Sequence, residues 1–166
     1  MKKILCLLLI VLTFGLASCG AREKTFTKNG VTITLSSDFY ETEGVVGMAC
    51  AYNSVKVGFM ANKEKLDDFY DYDFSNKDNP KAYADLVISV NRVTPSHELI
   101  NEKTNNEQYF AYTDYTNNVN GVSAHYFLVC MLGEEYAYCM NFWTAASDFD
   151  TYKDQMMEYA KTIIVE

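Results

Sequence analysis

Four kinds of side chain in this 166-residue sequence could do chemistry: two histidines, five cysteines, a run of aspartates and a crowd of aromatic rings. General acid–base work or activation of a nucleophile needs a histidine held beside a second catalytic group. His97 and His125 are the only two available. No Gly-x-Ser-x-Gly elbow marks a strained serine, no glycine-rich loop suits phosphate, and no dinucleotide fingerprint is present. His125 alternates with Tyr126 in a strand pattern and His97 follows Pro95-Ser96 at a loop end, so each is read as a structural residue.

Asp67, Asp68, Asp71, Asp73 and Asp78 are the densest polar group. The stretch DYDFSNKDNPKA, starting at Asp71, opens like a calcium loop, with Asp73 and Ser75 at its third and fifth positions. Such a loop needs a glycine at the sixth position for its sharp turn and a bidentate glutamate at the twelfth. Asn76 and Ala82 stand there instead. The run is therefore expected to be a solvated helix end and loop, with Asp71, Asp73 and Asp78 as candidates for weak calcium contact only. No cofactor is expected.

The cysteines divide by position. Lys2 and Lys3 precede the apolar run Ile4 to Phe14, and Gly15 to Ser18 are small or apolar, which together give the charged, apolar and cleavable parts of an export signal. The run is short of the roughly 20 apolar residues that a spanning helix needs. Leu16-Ala17-Ser18-Cys19 resembles a bacterial lipobox, which implies a diacylglyceryl group on Cys19 and cleavage before it. The expected organisation is a removed signal over 1–18, a lipidated tether over 19–24 and one domain over 25–166. Two or more acyl chains hold a protein stably at a bilayer. The expected location is the extracytoplasmic face of a bacterial membrane, reached through the lipid on Cys19.

Removing 18 of the 166 residues leaves 148, enough for one domain with a real core. Lys2 and Lys3 leave with the signal, so 12 of the 14 cationic side chains face all 22 acidic ones, and net charge becomes −10. That excludes the basic footprint of a nucleic-acid binder and opposes adhesion to anionic lipid heads. Cys50, Cys130 and Cys139 remain. Cys130 and Cys139 flank the turn at Gly133-Glu134-Glu135. A register centred between Glu134 and Glu135 sets them opposite each other; one centred a residue earlier pairs Cys139 with Leu128. A disulfide and a pair of buried free thiols both stay open, and no spacing suits zinc.

The elements follow from periodicity. Alternation around Asn29-Gly30 predicts a hairpin with strands near Thr25 to Lys28 and Val31 to Leu35. A second hairpin is expected from Val46 to Tyr52 and Val55 to Met60, turning at Asn53-Ser54. Lys63 to Tyr72 and Pro80 to Val90 are predicted helices, the second with Tyr83, Leu86, Val87 and Val90 on one apolar face. HELINEK is a short strand. QYFAYTDYT, VSAHYFLVCML and EYAYCMNFW then form a three-stranded meander. Ser147 is the expected cap of a last helix whose face carries Phe149, Tyr152, Met156, Tyr159 and Ile163, and Thr162 to Val165 closes as a strand. The fold class is α+β: an antiparallel β-sheet of about six strands, two N-terminal hairpins and a C-terminal meander, flanked by helices.

GVTITLSSDFYE, the meander from Glu107 to Trp143 and FDTYKDQMMEYAKTIIV together resemble the Mog1/PsbP-like fold, a group that includes small bacterial lipoproteins. The resemblance spans nearly all of the mature chain. It implies a non-enzymatic interaction or accessory domain with an unidentified protein or glycan partner. In the meander, Tyr109, Tyr112, Tyr136, Tyr138 and Trp143 are candidates for a binding surface if one sheet face stays uncovered, since rings with polar tips suit sugars and protein partners. A ligand-binding lipoprotein taking a small solute or glycan on that face or in a pocket is the alternative, and a hydrolase using a carboxylate pair is a third reading.

Overall fold

Asn29 and Gly30 take φ values of 49° and 84°, the left-handed pair that a tight hairpin turn demands. Around them β1 (Glu23–Lys28) and β2 (Val31–Ser36) pair from Lys28↔Val31 to Glu23↔Ser36. The computed structural model describes residues 22–42, 47–119 and 121–166. The signal and residues 19–21 of the tether, Cys19 among them, lie outside the described residues.

The chain continues through β3 (Tyr40–Glu41), β4 (Cys50–Asn53), β5 (Gly58–Lys65), α1 (Lys81–Asn91), β6 (Ile100–Lys103), β7 (Tyr109–Val119), β8 (Val122–Leu132), β9 (Tyr136–Ala145), α2 (Phe149–Lys161) and β10 (Ile164–Val165). The fold is α+β with antiparallel sheets, as the sequence predicts, and among the described residues it has two α-helices where three are expected. The strands divide into two sheets. Seven run in the order β3-β4-β5-β9-β8-β7-β6, while β1, β2 and β10 form a separate small sheet with β2 in its centre. The first predicted hairpin therefore belongs to a second layer.

That layer and α2 cover one face of the large sheet. Phe26, Ile33, Leu35 and Val165 of the small sheet meet Phe59, Phe110, Phe127, Met140 and Phe142 of the large one, with Met156, Tyr159 and Ile163 closing the same core. β10 has a free edge, and the Gln108 side chain occupies it: its Nε2 donates to Val165 C=O at 2.8 Å and its Oε1 accepts from Val165 N–H at 3.0 Å. An amide thereby stands in for a neighbouring strand. The opposite face carries α1, whose Tyr83, Ala84 and Val87 pack with Phe74 on Ala111, Leu128, Cys130 and Ala137.

Several expectations are corrected. Lys63 to Tyr72 is not a helix: Lys63 to Lys65 complete β5 opposite Tyr138 to Tyr136, and only Leu66–Asp68 coils, as a single 3₁₀ turn. The pairing with β9 supplies hydrogen bonds that a helix start there lacks, since Lys65 gives no side-chain cap. Pro80 caps the true helix, accepting from Ala84 N–H at 3.0 Å. On α1, Val90 is exposed instead of core; the helix ends at the next residue, Asn91. β4 runs Cys50–Asn53 and β5 starts at Gly58, because Ser54 bonds Val57 through both main chain and hydroxyl and holds a longer turn; Val46, the expected start of this hairpin, lies outside the described residues. At α2 the cap position belongs to Asp148, and Ser147 donates to the Asp148 carboxylate at 3.1 Å. Among the described residues no helix is long and apolar enough to cross a membrane.

Candidate functional site

Side chains alternate across a strand, so register decides which rings share a face. Tyr115 of β7 stands opposite Tyr126 of β8, Tyr126 opposite Trp143 of β9, and Trp143 opposite Gly58 of β5. The result is one row of rings running across the sheet on the α1 side. Tyr115 and Tyr126 stack with centroids 5.1 Å apart and planes 8° from parallel. Trp143 packs onto the Gly58 backbone, where any Cβ would overlap the indole. Gly58 is thus what lets the indole lie down on the sheet.

All three rings are half-buried. Of these, only Tyr115 packs against the apolar cluster under α1. Polar groups flank the row. The Tyr115 hydroxyl donates to Asn141 Oδ1 at 3.3 Å, and Asn53, opposite Gly58, donates through Nδ2 to Thr42 Oγ1 at 2.5 Å. Flat rings edged by amides and hydroxyls, with no charged side chain in the row, can stack on a sugar ring or another flat neutral group and bond its rim.

The five aromatics singled out from sequence do not gather on that surface. Tyr112, Tyr136 and Tyr138 point to the opposite face, where Tyr138 is fully buried and donates to Glu166 C=O at 3.3 Å. Lys63 Nζ lies 4.4 Å from the Tyr136 ring centroid and Lys103 Nζ 4.7 Å from that of Tyr109, so each ring has a cation on one side. Only Trp143 belongs to the row. Tyr115 and Tyr126 were reachable from the same alternation, given the β7–β8 register.

A second constellation escaped the sequence. Asp114, its side chain 5% exposed, receives His97 Nε2 on Oδ1 at 3.0 Å and His125 Nε2 on Oδ2 at 2.7 Å. His125 stacks on Phe149 at 3.5 Å, 5° from parallel, and its Nδ1 lies 3.3 Å from the Thr116 hydroxyl. His97 Nδ1 lies 2.7 Å from Glu98 C=O. Burial pushes the Asp114 carboxyl up, but hydrogen bonds from His125 and Ser96 and the charges of both imidazoles outweigh it and hold it below its usual value. The cluster fastens the segment after α1 along β7, where Ser96 N–H also donates to Asp114 C=O at 2.7 Å and Thr113 to His97 C=O at 2.8 Å.

Asp71, Asp73 and Asp78 lie in exposed turns. Asp73 Oδ1 accepts from Ser75 N–H at 2.9 Å, and Asp78 donates its own N–H to Asn76 at 3.2 Å. Among the described residues no three His, Cys, Asp or Glu side chains could together hold a metal. Cys130 stands directly opposite Cys139, the register centred between Glu134 and Glu135, and Cys50, Cys130 and Cys139 are free thiols.

No family model and no curated protein matches the sequence. Solved structures share the fold. The cyanobacterial PsbP protein CyanoP of Synechocystis superimposes with a TM-score of 0.59 at 13% identity, over 91% of this chain and 99% of that one. A protein from Bacteroides thetaiotaomicron gives 0.57 at 15% identity over 86% of this chain, which spans 48% of that protein's length. The Ran-binding protein Mog1p of Saccharomyces cerevisiae gives 0.53 at 7% identity, over 87% and 96%. The fold is PsbP/Mog1-like. At these identities the likeness fixes architecture, and one architecture hosts many functions.

Proposed function

We propose that this chain is a non-enzymatic binding or accessory domain, tied by a lipid on Cys19 to the extracytoplasmic face of a bacterial membrane. The observation that carries the reading is Leu16-Ala17-Ser18-Cys19 in register behind Lys2, Lys3 and the apolar run. β1 begins at Glu23, four residues after that cysteine. At about 3.5 Å per extended residue, the tether then allows only about 14 Å between lipid and domain. The acidic surface keeps the domain from lying flat on anionic heads, so the covalent lipid does the holding. Mass spectrometry of the protein extracted from membranes tests this: the expected N-terminus is an acylated Cys19, and any other N-terminus overturns the anchor. A Cys19→Ala chain is expected to leave the membrane fraction.

The Tyr115–Tyr126–Trp143 row favours a second, more specific reading: the domain takes a neutral saccharide or similarly flat solute on the α1-side face. Calorimetry at millimolar oligosaccharide is expected to show saturable heat that Trp143→Ala abolishes. No heat from neutral and amino sugars alike would sink that reading while leaving the anchored accessory domain standing.

A further inference from the structure

The β8–β9 hairpin fixes more than which residues face each other. Gly133 N–H donates to Tyr136 C=O at 2.8 Å, which makes Gly133 and Tyr136 a hydrogen-bonded pair. Antiparallel pairs alternate between bonded and non-bonded types. Counting back, Leu132·Ala137 is non-bonded, Met131·Tyr138 bonded and Cys130·Cys139 non-bonded. Non-bonded pairs bring their Cα atoms to about 4.5 Å, inside the window of about 4.4 to 6.8 Å that a disulfide spans. The same register with the cysteines one residue along either strand would not do this.

We propose that Cys130 and Cys139 are an oxidisable pair that closes to a cross-strand disulfide beneath α1 once the chain is outside the cytoplasm. The oxidant depends on the export proposed above. The third thiol cannot compete: Cys50 lies in the core on the opposite face of the sheet. The two partners differ in a useful way. Cys130 is fully buried among Tyr83, Ala84 and Leu128, whereas Cys139 is half-buried and its sulfur accepts from Asn141 Nδ2 at 3.9 Å. Burial, and then the Cys139 contact, hold the Cys130 thiol well above its ordinary range. Cys139 is therefore the first attacker.

In the step itself, the Cys139 thiolate attacks the disulfide of an extracytoplasmic thiol oxidase, forming a mixed disulfide and releasing one oxidase thiolate. Cys130, giving up its proton, then attacks Cys139 Sγ and expels the second oxidase thiolate. The chain loses two electrons and two protons, and the oxidase disulfide becomes a dithiol.

The test uses the full chain extracted from membranes, its free thiols blocked by alkylation before non-reducing digestion at glutamate. Glu134 and Glu135 lie between the two cysteines, so cleavage there leaves two fragments that travel together only if the bond exists. The expected result is a linked pair that reductant separates, with Cys50 alkylated. Alkylation of both Cys130 and Cys139 in a chain whose N-terminal peptide carries acylated Cys19 overturns the proposal. The same digest reads the anchor, so failure of export is distinguished from failure of the bond. Chain made without export and treated with oxidised glutathione is expected to give the same linked fragments, and failure to do so counts against the proposal independently. Reduction is expected to lower the melting temperature of the oxidised chain by about 5 to 10 °C, a response that a Cys130→Ala/Cys139→Ala chain lacks.

Discussion

On one face of the seven-stranded sheet Phe110, Phe127, Phe142 and Tyr138 are fully buried beneath α2 and the small sheet; on the other, Tyr115, Tyr126 and Trp143 stay half-buried. Both faces draw their rings from the same three strands, with Tyr126 beside Phe127 and Trp143 beside Phe142 in sequence. Covering, not composition, is what differs. The closed face takes its cover from two pieces distant in sequence, the β1–β2 hairpin and the α2–β10 end, while α1 reaches only the part of the other face around Ala111, Leu128, Cys130 and Ala137. Stability should therefore reside mainly on the first face and recognition on the second.

The largest expected effect breaks the closed face. Phe142→Ala removes a fully buried ring in contact with Phe59, Phe127 and Tyr159. Urea unfolding is expected to show a loss of about 3 to 5 kcal/mol. Gly58→Ala attacks the seam between strand backbone and open face. Its Cβ must displace the indole, at a cost of about 1 to 3 kcal/mol from overpacking, and the emission of Trp143 should shift with it.

Asp114→Asn probes the rim of the closed face, where a buried carboxylate holds both imidazoles and His125 stacks on Phe149 of α2. At neutral pH the expected loss is about 1 to 3 kcal/mol, the range for a buried hydrogen bond left imperfectly paired. The pH dependence has a definite sign. The carboxyl sits below its ordinary 3.8 in the folded chain, so its contribution is complete above that value and is lost as pH falls through the lower folded-state value. Urea midpoints measured from about pH 5 down to 2 should fall less steeply in Asp114→Asn than in the parent. Equal slopes would remove Asp114 from the account.

The smallest effect on stability is expected on the open face. Tyr126→Ala forfeits one ring stack, worth about 0.5 to 1.5 kcal/mol, yet it should damage ligand binding more than any closed-face change that still folds.

Local patterning made much of this legible. Asn29-Gly30, Pro80 and the alternation of the meander placed β1, β2, α1, β8 and β9 within a residue or two and β7 within three, because each carries its own turn or cap signal. Lys63 to Tyr72 misled because its charges mimic a helix surface, when pairing with β9 decides the matter and pairing is not a local property. The site was less legible. Choosing Tyr109, Tyr112, Tyr136 and Tyr138 required knowing which face stays open, and that depends on where α1 and the small sheet dock. Asp114 joins two histidines that lie 28 residues apart in sequence, on a loop and a strand, so nothing short of register and loop path unites them.

The chain holds a single tryptophan, so its emission reports only the open face. Titrating the native protein with neutral oligosaccharides while following Trp143 is therefore the most direct test that this face is the working surface. The account predicts a saturable change in emission, with an apparent Kd that Tyr126→Ala weakens by about 3 to 10-fold, the equivalent of one lost ring stack. Emission that no saccharide moves, or that moves identically in the parent and in Tyr126→Ala, would contradict it.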